Sequence, residues 1–146
     1  KRHLLKNEKM KQVIFILLSG LLLFSCSLDG EEQQQLNLEI VPISYVEMPT
    51  AFRVDSITEI PVTYLRPTSC HNFSNFYYNS LGNERTVAVF CTKASSTECV
   101  PSNDYILTVP LSFKPKTIGT YHFRFWTGVD TNGADQYIEY EAVVNH

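Results

Sequence analysis

Apolar residues run uninterrupted by charge from Val13 to Phe24, with only Ser19 and Gly20 between them, and then the pattern changes twice. Ser27 to Gln35 (Ser-Leu-Asp-Gly-Glu-Glu-Gln-Gln-Gln) carries almost nothing to bury, so it reads as disordered, acidic chain. From Leu36 onward apolar and polar positions alternate with a period of two, and turn residues recur roughly every 8–12 positions, the mark of an all-β sandwich or barrel. Seven strands are predicted. They lie at Leu36–Ile40 (extended by Ile43–Val46 after Pro42), Ile57–Leu65, Asn72–Tyr78, Arg85–Cys91, Tyr105–Phe113, Thr120–Trp126 and Tyr137–Val144. Pro61 and Pro110 favour edges or bulges, because proline has no N–H for a ladder. No segment after the first apolar run has a helical period, and no internal repeat is visible.

Seven strands in about 110 residues fit a seven-stranded antiparallel Greek-key sandwich of immunoglobulin type. In Gly119-Thr120-Tyr121-His122-Phe123-Arg124-Phe125-Trp126, residues Tyr121, Phe123 and Phe125 share one face, with His122, Arg124 and Trp126 on the other. The Gly-x-Tyr opening resembles the tyrosine corner of immunoglobulin-like domains, whose hydroxyl ties a corner to nearby backbone. Antibody domains have a cysteine two residues after that tyrosine. Here the position holds Phe123, so the architecture is carried over without the antibody bridge.

The N-terminal run has 12 residues, short of the about 20 needed to span a bilayer. With Lys9 and Lys11 before it and small residues after it, the run reads as the h-region of a secretory signal helix. Leu23-Phe24-Ser25-Cys26 then resembles the lipobox of bacterial lipoproteins. That resemblance implies a diacylglycerol on the Cys26 thiol and cleavage before Cys26. Phe24 departs from the small or β-branched residue usual two places before the cysteine. Residues 1–25 are therefore assigned to upstream sequence and signal peptide, 26–35 to a lipidated tether, and 36–146 to the sandwich. Asp29, Glu31 and Glu32, just after the lipidation point, resemble the surface-export signal of lipoproteins in the Bacteroidota, and an ordinary solvated linker explains them equally well. Localisation follows: lipid-anchored at the outer membrane, facing the periplasm or the cell surface.

Removing the signal changes the charge. The whole chain carries −3, but the segment from Cys26 onward keeps 7 Lys+Arg against 14 Asp+Glu, a net charge of −7. That argues against nucleic acid as a partner, since phosphate binding needs basic patches. Membrane association is assigned to the lipid on Cys26. In an oxidising compartment the three remaining cysteines form one bridge and leave one thiol. Cys70 with Cys99 is favoured, closing a loop of about 30 residues worth roughly 3–4 kcal/mol in the chain-entropy model. Cys91 with Cys99 is the rival. No C-x-x-C pair exists, and no metal or cofactor is expected.

Catalytic motifs of the H-E-x-x-H, G-x-S-x-G or S-x-x-K kind are lacking. A small envelope hydrolase is the alternative function, using Cys91 with His122 as a nucleophile pair, or Glu139 with Glu141 as a carboxylate pair. Asp130, Asn132 and Asp135 sit faintly like a calcium loop, but Asp and Asn beside Gly133 are also ordinary hairpin residues. Trp126, Tyr137 and either Tyr77 or Phe76 are the candidate contact surface for a protein or glycan partner in the envelope, because large aromatics dominate interface energetics.

Lipobox, acidic tether, the strand Tyr121 to Trp126 followed by Thr127-Gly128, and Asp135-Gln136-Tyr137 together resemble small uncharacterised lipoproteins of the Bacteroidota. The resemblance implies location and an immunoglobulin-like fold and supplies no activity. The expectation is a membrane-anchored, non-enzymatic binding or structural module.

Overall fold

The computed structural model describes residues 36–95, 98–101 and 105–146, and Cys26 with its signal and tether lies outside them. Gln34–His146 forms one compact unit. The described residues are all strand, turn and loop, arranged as two sheets. Their strands are β1 (Leu36–Val41), β2 (Ile43–Val46), β3 (Phe52–Arg53), β4 (Thr58–Leu65), β5 (His71–Leu81), β6 (Glu84–Ala94), β7 (Ile106–Phe113), β8 (Gly119–Val129) and β9 (Asp135–Asn145). One sheet contains β2-β4-β7. The other runs β1-β6-β8-β9-β3, with β5 paired to β6.

Nine strands replace the predicted seven, and each addition has a local cause. Pro42 cannot donate to a ladder, so the first predicted strand divides there. β1 then pairs with β6 in the larger sheet, while β2 pairs with β4 in the smaller one. The chain crosses between layers at this proline and buries Val41 and Ile43 on either side of it. β3 is only two residues long and was unreadable from periodicity. Phe52 anchors it, buried edge-on against Phe113 at 5.8 Å.

The sheets are also not purely antiparallel as expected. β3 runs parallel to β9, and β6 runs parallel to β8 along Glu84–Val87. The second case follows from the connection. After β6 the chain crosses to the smaller sheet as β7 and returns as β8, so the two strands reach the same sheet running in one direction. The β5–β6 hairpin closes tightly on Gly82-Asn83. Gly82 takes φ +56°, a left-handed conformation that costs glycine little.

The core lies between the two layers. Ile60, Val62, Val87, Val89, Phe123 and Phe125 are almost completely buried there. Phe113 from the smaller sheet meets Phe123 from the larger at 4.9 Å in a T-shaped contact. Tyr121 is buried with its hydroxyl 2.9 Å from Thr117 Oγ1, donating to the Thr117 carbonyl and accepting from the Thr117 N–H. This corner contact is the one its position at the strand opening suggested. Cys70 and Cys99 are joined, with Cα atoms 5.3 Å apart, and Cys91 is a buried free thiol. The bridge ties the start of β5 to the loop after β6, where Ser69 N–H also donates to the Val100 carbonyl.

Candidate functional site

The strand period decides which side chains leave the core. On β8, Tyr121, Phe123 and Phe125 point inward, so His122, Arg124 and Trp126 stand on the outer face. Their partners on β9 are Glu141, Glu139 and Tyr137, in that order. On β6 the inward Val87, Val89 and Cys91 leave Thr86, Ala88 and Phe90 outside. β5 then sets Tyr77 opposite Ala88, and β1 sets Ile40 opposite Phe90. A groove of about 410 Å³ runs across this face, lined by Ile40, Tyr77, Ala88, Phe90, Trp126 and Tyr137, with Thr86 and Asp135 as polar groups.

The groove has a topological origin. One edge of β6 pairs with β8 along Glu84–Val87 and with β1 along Val89–Ala94. Ala88 is where the edge passes from one neighbour to the other, and β8 and β1 diverge around it. Ala88 is only 2% exposed although it lies outside the main core, so it forms the floor beneath larger rings. A bulge between Trp126 and Gly128 turns the end of β8, with Gly128 at φ +119°, where a Cβ would lie 3.7 Å from the Pro42 ring.

The rings are held rather than loose. Trp126 Nε1 donates to Asp135 Oδ1 at 2.8 Å, which fixes the indole plane. The Arg124 guanidinium sits 4.1 Å from the centroid of the Tyr137 ring and is itself held by Glu139 at 3.0 Å. Tyr77 packs edge-on against Phe90 at 6.3 Å and remains 44% exposed.

Of the candidate residues, Tyr77, Trp126 and Tyr137 come together in this groove, and Phe76 does not. Phe76 turns toward the core against Phe73 at 5.2 Å. Sequence reasoning missed Phe90, Ala88 and Ile40, although the alternation in Thr86-Val87-Ala88-Val89-Phe90 already put two of them on one face.

Of the two hydrolase alternatives, the Cys91–His122 pair separates and the carboxylate pair stays together. Cys91 is completely buried on the inner face, and burial pushes its thiol pKa up, away from the reactive thiolate. His122 is exposed on the outer face, 3.5 Å from Glu141. A sheet lies between the two, so they cannot form a nucleophile pair. Glu139 and Glu141 share the outer face, where Glu139 lies 3.0 Å from Arg124 and Glu141 3.5 Å from His122, and both line a cavity of about 530 Å³. No cluster of three or more potential metal ligands occurs among the described residues. Asp130 Oδ1 instead accepts the backbone N–H groups of Asn132 and Ala134, which holds its carboxyl below the ordinary range and makes it the brace of the β8–β9 hairpin.

A second polar cluster was not foreseen. His71 is buried, with Nε2 2.9 Å from Glu39 Oε2 and Nδ1 2.8 Å from Thr68 Oγ1. A carboxylate only accepts, so Nε2 carries the proton. Lys93 reaches the other Glu39 oxygen at 3.3 Å. These contacts, the His71 hydrogen bond first, hold the Glu39 carboxyl below its ordinary value. They join β1, β5 and β6 beside the disulfide, which is a structural role. The chain matches no protein-family model, no curated protein and no solved structure.

Proposed function

We propose that this protein is a lipid-anchored envelope module that binds a partner through the aromatic groove on its outer sheet face. The supporting observation is that Tyr77, Trp126 and Tyr137, drawn from three strands, meet around one concavity. Rings already fixed by Asp135 and Arg124 lose little freedom on binding, which favours affinity. A sandwich core did not need these rings, because both layers are filled from their inner faces. The immunoglobulin-like assignment belongs to the same reading. The Tyr121–Thr117 corner and the aromatic core between the sheets support it, and the parallel β6–β8 and β3–β9 ladders depart from the antiparallel pattern. The lipid on Cys26 and the acidic tether would hold the groove near the outer membrane.

The test is site-specific photocrosslinking in intact cells from position 137, compared with position 63 on the smaller sheet. A partner captured from 137, absent from 63 and lost in Trp126→Ala supports the reading. Equal capture from both faces, or capture unaffected by Trp126→Ala, overturns it.

A further inference from the structure

We propose that β5 is an interface through which two copies of this chain join, edge to edge, about a two-fold axis at Tyr77. The inference does not depend on what the groove binds.

Among the described residues β5 pairs only with β6, so its other edge presents an unpaired row of backbone N–H and C=O groups. Such an edge is a template for another strand unless it is blunted by charge, proline, a bulge or shortness. The remaining edges are all blunted. β2 has four residues and a bulge, β3 has two residues, and β7 carries Pro110. β1 carries Glu39, and β9 carries Asp135, Glu139 and Glu141. β5 differs from every one of them. Asn72 to Leu81 contains no charge and no proline, and its one bulge lies at the start, between Phe73 and Asn75, next to the disulfide. From Asn75 the strand runs regularly to Leu81, with Tyr77, Tyr78 and Leu81 exposed.

The sequence of that stretch names the occupant. Asn75-Phe76-Tyr77-Tyr78-Asn79 reads nearly the same in both directions about Tyr77, and Ser80 and Leu81 mirror Ser74 and Phe73. An isologous contact requires a patch complementary to itself under a two-fold rotation. Antiparallel pairing centred on Tyr77 sets Tyr77 against Tyr77, Phe76 against Tyr78 and Asn75 against Asn79. Each pair lies on one face, since Asn75, Tyr77 and Asn79 point outward in the ladder with β6 while Phe76 and Tyr78 point inward. Aromatic cross-strand pairs stabilise such a ladder, and amide side chains facing each other can exchange hydrogen bonds. Nothing in the contact brings like charges together. The pairing would continue the larger sheet from one copy into the next and set two aromatic grooves side by side, with the Tyr77 rings at the seam.

The test uses the full chain purified in detergent, with mass measured by light scattering after size exclusion. A wild-type protein mass of two chains is expected. Directly opposed residues of an antiparallel pair lie about 4.5–5.5 Å apart, within disulfide reach, so Tyr77→Cys should crosslink to itself under mild oxidation. Asn75→Cys and Asn79→Cys should crosslink as a mixture and not singly. Tyr77→Lys alone and Tyr77→Glu alone should have the mass of one chain with unchanged circular dichroism, and mixing them should restore the dimer. A single-chain mass for wild type overturns the proposal, as does a lysine–glutamate mixture that stays monomeric. Crosslinking from Ser112→Cys on β7 as efficient as from Tyr77→Cys also overturns it.

Discussion

At the scale of single residues, the Glu39 cluster ties stability to pH. Glu39 is half-exposed, yet its carboxyl is held low chiefly by the buried His71 ring and then by Lys93. A folded-state pKa below the unfolded one contributes stability above the ordinary carboxylate range and loses it as pH falls through that range. Thermal melts recorded from neutrality downward should therefore fall below about pH 5. Glu39→Gln should melt lower than wild type at pH 7 and show a flatter decline on acidification, because its amide does not titrate. An acid limb identical in the two proteins would place the sensitivity in other carboxylates. Protonation of Glu39 also weakens the acceptor that orients the buried His71 Nε2–H, a contact that joins β1 to β5 across β6.

At the level of elements, the disulfide and the fork in β6 matter most. The Cys70–Cys99 bridge closes a separation of 29 residues that contains all of β5 and β6. Chain entropy gives such a loop roughly 3–4 kcal/mol. Replacing both cysteines with serine should lower the denaturant-unfolding free energy by about that amount while leaving β-sheet circular dichroism in place. A loss under about 1 kcal/mol would mean that the reduced chain is already constrained here. Each predicted segment overlaps a strand of the structure, the first of them divided at Pro42, and where one face of a strand lies against the core, burial writes that face into the sequence as a period of two, as in Tyr121, Phe123 and Phe125. Layer and partner were not legible, because period two says nothing about which sheet a strand joins. Pro42 showed where a strand must break but not that the chain would change sheets there. The candidate groove was legible in part for the same reason. Trp126 and Tyr137 could be placed on an outer face by counting, and Tyr77 was one of two options. The exchange of neighbours at Ala88, which opens the concavity, depends on pairing between strands distant in sequence and leaves no local trace.

For the whole molecule, anchoring and shape have to agree. From Cys26 onward the chain carries 14 Asp+Glu against 7 Lys+Arg, so anionic headgroups repel it and, on the proposed reading, a lipid on Cys26 would have to hold it at a membrane. No helix among the described residues is long and apolar enough to cross one. The lipobox reading therefore predicts an outcome with two independent parts. Wild-type protein should partition into detergent and resist carbonate extraction from membranes, and its N-terminal peptide should carry diacylglycerol on Cys26 by mass spectrometry. On that reading Cys26→Ala removes the thiol that would receive the lipid and on which cleavage would depend, so it should accumulate as a heavier precursor retaining the apolar segment Val13–Phe24. The sandwich should not change, since it begins ten residues later at Leu36 and builds its core from its own two sheets. The precursor should accordingly keep the wild-type melting temperature and the intact Cys70–Cys99 bridge. A correctly trimmed, lipid-free Cys26→Ala protein would mean that an ordinary signal peptidase handles this N-terminus. The module would then be released rather than tethered, and its groove would meet partners in solution instead of at the membrane surface.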